Sequence, residues 1–159
     1  MRMYLIRHGK AERESDSGLD ADRRLAPRGV RQAEWLGTVL RAAESSPSRI
    51  IASRAARASR TAELIAEALG LEVERRDEVG LSTTPSRVID LIANASDESC
   101  LALVGHNPTL SMVADVLVHG PTPSCRIGLR TGEAAVLEVS DPSDPVGSAT
   151  LRGLLRMDD

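Results

Sequence analysis

Apolar residues in this chain come alternately in short unbroken runs and in helical spacing. Residues 3–6, MYLI, are an unbroken apolar run ended by Arg7, which predicts a short buried strand. From residue 27 to about 44, Val30, Ala33, Leu36, Leu40 and Ala43 recur three or four apart, while Arg28, Arg31, Gln32 and Arg41 fill the opposite face. That spacing predicts an amphipathic helix with Pro27 in its first turn. Residues 49–52 form a second short β-type run that ends at Ser53, and a strong helical pattern follows over 57–69, stopped by Gly70. Residues 71–74 are a candidate third strand and 85–93 a candidate helix. CLALV at 100–104 is the clearest buried strand; Gly105, His106, Asn107, Pro108 and the helix-like TLSMVADVLV follow it. Two late runs, 134–139 and 149–155, read as strands separated by the turn-rich DPSDPVG.

Strands that alternate with helices predict an α/β fold: a mostly parallel central sheet with helices on both faces, leaving antiparallel strands as an option late in the chain. No internal repeat or low-complexity block interrupts the pattern, and 159 residues suit one domain over 1–159. Residues 11–24 are polar, with Ser15, Asp16, Ser17, Gly18, Asp20 and Asp22, and are expected to form a mobile loop.

Composition removes several function classes. Hydrophobic residues at 42%, charged residues at 27% and a net charge of -3 describe an ordinary globular chain without the basic surface that nucleic acid demands. One Trp, one Tyr and no Phe leave no platform for stacking bases, so the core must be aliphatic. No segment approaches a membrane span, and residues 3–6 are too short for a signal peptide's apolar core, so the expected location is the cytoplasm. Cys100 and Cys125 are far apart with no CxxC spacing, which fits free thiols in a reducing compartment. Lys10 is the only lysine; the remaining cations are arginines, whose planar fork suits phosphate.

In a sheet of this kind ligands bind outside the carboxyl ends of the strands. Three predicted strand ends carry groups suited to anions: Arg7-His8-Gly9; Ser53 followed by Arg54, Arg57 and Arg60; and Gly105-His106-Asn107-Pro108. Each has a bland alternative, since a histidine at a strand end is usually a surface or hydrogen-bonded residue and arginines are usually solvated. Arginines near a helix start oppose the helix dipole, however, which suggests an anion between them. Asn107 suits an N-cap and Pro108 a first helical residue, which would aim free amides at the sheet edge. Gly9 and Gly105 would let backbone or ligand approach closely. A metal held by His8 and His106 is disfavoured, because their neighbours are arginines rather than carboxylates or thiolates.

In this order, LIRHGKAE, DADRRLAPRG, SRAARASRTAE and LVGHNPTL resemble the histidine phosphatase superfamily, also called phosphoglycerate mutase-like, and specifically its short SixA-type phosphohistidine phosphatases. The resemblance spans residues 1 to about 118. It implies that His8 takes a phosphoryl group onto its ring, that Arg7, Arg57 and His106 grip the phosphate with Gly9 and Asn107 beside it, and that neither metal nor organic cofactor is needed. Water would then hydrolyse the phosphohistidine in a ping-pong second step, releasing inorganic phosphate. Arg54 stands where the family usually has proline and Arg60 where it has glutamine, and both are expected to add charge near the mouth. Asp20 and Arg23 match a family loop motif and are read as loop-ordering residues. About 35 residues separate Gly70 from Gly105, which implies a minimal fold without a large cap; Glu78 is the one candidate general acid there, with a solvated loop as its alternative. The expected substrate is a phosphohistidine on a histidine phosphotransfer-type protein, with a small phosphomonoester as the alternative and a non-catalytic phosphoprotein-binding module as a third reading.

Overall fold

The computed structural model describes residues 1–122 and 124–159. Among them, β1 (Arg2–Arg7), β2 (Arg49–Ala52), β3 (Val73–Arg75), β4 (Cys100–Gly105), β5 (Ala134–Val139) and β6 (Ala149–Leu155) form one sheet in the order β3-β2-β4-β1-β5-β6. The first four strands in that order run parallel, whereas β5 pairs antiparallel with β1, and β6 with β5. Helices α1 (Pro27–Ala42), α2 (Ala56–Leu69), α3 (Pro85–Asn94) and α4 (Thr109–His119) cover the two faces. The α/β expectation is borne out, including the late antiparallel strands. No helix of the described residues is long and apolar enough to cross a membrane.

The unbroken apolar runs follow from burial on both faces. In β1, Met3 and Leu5 pack with Val88, Leu91, Val113 and Leu117 of α3 and α4. Tyr4 and Ile6 point the other way, onto Leu36, Leu40, Ala62 and Ile65 of α1 and α2. A strand whose successive side chains enter two separate cores has no polar alternation to show.

Register then positions the strand ends. Arg7 pairs with Gly105 and Ala52 with Val104, so the residues just past each pair lie side by side. His8 N–H continues the ladder to the Gly105 carbonyl at 3.1 Å, and Ser53 N–H to the Val104 carbonyl at 3.0 Å. His8, Ser53 and His106 are thereby neighbours, although nearly 100 residues separate the first from the last.

Three local expectations change. The buried face of α1 runs through Gly29, Ala33, Leu36 and Leu40, and it includes Gln32, which the amphipathic pattern placed outside. Gln32 bridges the Lys10 amide and the Thr131 carbonyl, so its amide is satisfied internally. Segment 11–24 is fastened rather than free: Ala11 bridges Leu25, and residues Asp20–Asp22 form a 3₁₀ turn. The helix after β4 starts at Thr109, with Pro108 at its N-cap, so Asn107 is not the cap. As expected, both cysteines are free, Cys100 buried and Cys125 exposed.

Gly9 and Gly29 lie back to back. A Cβ on Gly9 would sit 2.6 Å from the Gly29 carbonyl oxygen, and one on Gly29 would strike the Lys10 carbonyl. The contact is backbone against backbone, so no rotamer change relieves it. Gly29→Ala is expected to cost about 2–3 kcal/mol, read as a lower urea midpoint at unchanged m-value, and to impair the site two residues from His8. An unchanged midpoint would show that α1 can slide away without loss.

Candidate active site

The three strand ends converge on a cavity of about 370 Å³ lined by Arg7, His8, Asp20, Arg57, His106 and Asn107, with Lys10, Arg23 and Leu81 at its edge. His8 and His106 are 8% and 7% exposed, and their ring centroids are 5.2 Å apart.

His8 has a defined tautomer. Its Nδ1 lies 2.8 Å from the Gly9 carbonyl, which can only accept, so Nδ1 carries the proton. Arg57 Nε–H donates to His8 Nε2 at 3.2 Å, which requires a lone pair there. Burial, together with the charges of Arg57, Arg7 and Arg23, pushes the His8 pKa down to about 4, against the pull of the Gly9 carbonyl. Burial likewise takes His106 to about 3, helped by His8, Arg57 and Arg7 and opposed by Asp20. Two neutral imidazoles therefore stand among fixed cations, an arrangement suited to receiving an anionic electrophile.

Arg57 is held from both ends. Its Nη1 donates to the Asp20 carbonyl at 2.7 Å and its Nη2 to the Asp20 carboxylate at 3.0 Å. Arg23 pairs with the other oxygen of Asp20 at 3.0 Å and with the Glu12 carbonyl at 2.8 Å, which ties the loop to the site. Hydrogen bonds from Arg23 and Arg57 hold the Asp20 carboxyl below its ordinary pKa. Arg7 Nη1 donates to the Leu129 carbonyl at 3.0 Å, while Arg7 Nε is buried without a partner among the described residues.

Several predicted residues have different places. Gly9 does not line the cavity: its N–H donates to Thr61 Oγ1 at 3.1 Å and its carbonyl holds His8, so it orients the ring and makes room for α1 rather than for a ligand. Asn107 lines the cavity, but its amide donates to the Leu129 carbonyl at 2.7 Å and its Oδ1 accepts from Ser111 at 2.8 Å. It braces the 124–133 segment. Glu78 is outside the cavity lining; its carboxylate pairs with Arg76 at 3.0 Å, which lowers its pKa. That is the reverse of what a general acid needs. Arg60 is drawn along α2 to Glu63 and Glu67, away from the mouth, whereas Arg54 lines an adjoining cavity and pairs with Asp77.

Other positioning residues have little or no signature in the sequence pattern. Thr61 bridges Gly9 and the Arg57 carbonyl inside a helix that reads as merely amphipathic. Asp115 did leave a signal, as a lone carboxylate in an apolar helix. Buried in α4, it accepts the amides of Ser124, Cys125 and Arg126 and so anchors the segment that brings the Leu129 carbonyl to Arg7. Burial alone would raise its pKa, but those hydrogen bonds hold it low.

A crossed α/β sheet with paired histidines and arginines at its carboxyl edge defines a class of phosphate-handling proteins, and comparison with known proteins agrees. Residues 3–80 match the histidine phosphatase superfamily, branch 1. The uncharacterized Mycobacterium tuberculosis protein Rv1276c is 34% identical over 150 residues, covering 92% of this chain and 86% of its own. The solved protein histidine phosphatase SixA complexed with tungstate superposes with a TM-score of 0.84 at 21% identity, over 98% of this chain and 97% of that one. A protein assigned as phosphohistidine phosphatase SixA from Agrobacterium tumefaciens gives 0.79 at 27% identity, over 98% of each chain. The chain belongs to the histidine phosphatase superfamily.

Proposed function

We propose that this chain is a phosphohistidine phosphatase that works without a metal ion, with His8 Nε2 as the phosphoryl acceptor. One observation carries the reading: a neutral His8 whose Nδ1–H is held by Gly9 presents an unprotonated Nε2 to a cavity rimmed by Arg7, Arg57 and His106. Among the described residues no group of three or more His, Cys, Asp or Glu side chains is arranged to hold a metal ion.

Arg57 Nε–H gives up its hydrogen bond to Nε2 as the phosphoryl group enters, the freed Nε2 lone pair attacks phosphorus, the bond from phosphorus to the departing atom breaks, and its electron pair leaves with the departing group. Arg7, Arg57 and His106 balance the charge on the transferring oxygens. Water then attacks the phosphorus on His8, the P–N bond breaks back to the ring, and inorganic phosphate leaves.

The choice of leaving group rests on the acid that the site lacks. Among the described residues, Asp20 is the one carboxylate lining the cavity, and it is ion-paired and held ionised. An alkoxide would leave unprotonated and slowly. An imidazole departs as a neutral ring when its other nitrogen carries a proton, so phosphohistidine on a partner protein is the suited substrate. A small phosphomonoester is the second reading, favoured by a neighbouring cavity of about 390 Å³ that shares Leu81 and is lined by Arg54 and Arg87.

The test compares EDTA-dialysed enzyme on a phosphohistidine-labelled phosphotransfer protein, an aryl phosphate and alkyl phosphates, in wild type and Glu78→Gln. Without a general acid, alkyl esters are expected to fall on the order of 10²-fold or more below phosphohistidine in kcat/KM. Glu78→Gln should alter every substrate by less than about 2-fold. Brisk turnover of alkyl esters with none of phosphohistidine would select the second reading, and loss of activity on dialysis would overturn metal independence.

A further inference from the structure

His106 has one ring nitrogen engaged and one bare. Its Nε2 lies 2.7 Å from Ser53 Oγ, and its Nδ1 is buried with no partner among the described residues. Ser53 is 1% exposed, and its Oγ also accepts the Ala55 amide at 3.2 Å.

A serine hydroxyl has one hydrogen to give. If His106 Nε2 carried the ring proton, Ser53 Oγ would accept twice, its own hydrogen would lack a partner in a sealed position, and His106 Nδ1 would offer a bare lone pair to the cavity. An incoming oxyanion would meet that lone pair with repulsion. If Ser53 O–H donates to Nε2 instead, the hydroxyl both donates and accepts, and the proton sits on Nδ1. The unsatisfied buried side-chain atoms are then Arg7 Nε–H and His106 Nδ1–H, two donors and no acceptor, as an oxyanion requires.

We propose that the Ser53 hydroxyl fixes His106 as the Nδ1–H tautomer, making a neutral imidazole a hydrogen-bond donor to the oxyanion that the site holds. Ser53 is thus a positioning residue acting through His106. Its place follows from register: Ala52 pairs with Val104, so Ser53 lies level with Gly105 and its hydroxyl reaches the next residue, His106. The inference rests on the phosphate reading only for the identity of the oxyanion.

The experiment is a long-range ¹H–¹⁵N spectrum of protein labelled in its histidine rings, at neutral pH, for wild type, Ser53→Ala and Ser53→Thr, with His106 assigned by His106→Asn. Wild-type His106 should show a protonated, pyrrole-type Nδ1 and a pyridine-type Nε2. Ser53→Ala should move both signals toward the averaged or opposite tautomer, and Ser53→Thr should restore them. Orthophosphate should bind Ser53→Ala about 10-fold or more weakly, the loss of one hydrogen bond to a charged group. A protonated Nε2 in the wild type overturns the proposal even if no variant folds, and so do unchanged His106 signals in Ser53→Ala. An Nδ1–H tautomer in a wild type whose His8 and His106 signals ignore orthophosphate would uphold the tautomer and instead overturn the phosphate reading.

Discussion

His8→Ala is expected to abolish turnover, lowering kcat on the order of 10⁴-fold or more and leaving no acid-labile phosphoenzyme after rapid quenching. The magnitude is that of removing the atom that makes the covalent bond, which the remaining donors cannot replace. Arg7, Arg57 and His106 do not depend on the His8 side chain for their main supports, so the variant should still bind orthophosphate. Retained turnover would place the nucleophile elsewhere.

The same ring sets a pH dependence with a defined sign. The proposed attack needs an unprotonated Nε2, and a pKa of about 4 keeps it unprotonated well below neutrality. The rate of phosphoenzyme formation, corrected for substrate ionisation, should therefore stay level down to about pH 5 and then fall; an ordinary histidine would lose it near about 6.5. Stability falls in the same direction but from a higher pH. Both buried rings have lower pKa values folded than unfolded, so the unfolded chain takes up protons first as pH drops below about 6.5. Stability is then full above that pH and declines toward pH 4. A thermal midpoint that drops between pH 7 and 4, and drops less in His106→Asn, is the expected calorimetric result.

The second large effect belongs to Arg57. Arg57→Ala removes the donor to His8 Nε2, the proposed phosphate clamp and the anchor of Asp20 at once. A loss of about 10³-fold in kcat/KM is expected, at the upper end for a single oxyanion donor. Arg57→Lys should recover little of it, because a point charge on a flexible stem cannot hold His8 and both Asp20 oxygens together. Two further readouts separate this from simple misfolding. The His8 pKa should rise, since the Arg57 charge helps to depress it. Amide exchange around the Asp20–Asp22 turn should quicken. A variant with unchanged loop exchange would show that Arg57 does not fasten segment 11–24.

Much of this architecture was legible in the chain. Strands buried on both faces must be continuously apolar, which is why residues 3–6 and 100–104 stood out and why the helices between them had to alternate with them. Gly70 as a left-handed helix stop, at φ 68°, was equally plain. The less legible features share a cause. Gln32, Thr61 and Ser53 are buried polar residues whose partners are distant in sequence, so helical or strand periodicity carries no trace of them. Segment 11–24 looked mobile because polar composition records the absence of a core, not the Arg57–Asp20 and Arg23–Asp20 pairs that fasten the loop. Gly9 read as room for backbone or ligand, and the space belongs to the Gly29 backbone, on a helix that local sequence could not place there.

By itself, then, the sequence determined the order of elements, the two-faced core and three strand ends rich in histidine and arginine, because local periodicity and strand-end chemistry are written residue by residue; the family resemblance singled out Arg7, His8, Arg57 and His106 among them. Only the tertiary structure decided how those residues are held: the tautomer of His8 through Gly9, the capture of Arg57 by Asp20, the exclusion of Glu78 by Arg76, and the bond between Ser53 and His106. Hydrogen bonds and ion pairs act over about 3 Å, and which groups come that close is set by strand register and helix packing rather than by position along the chain.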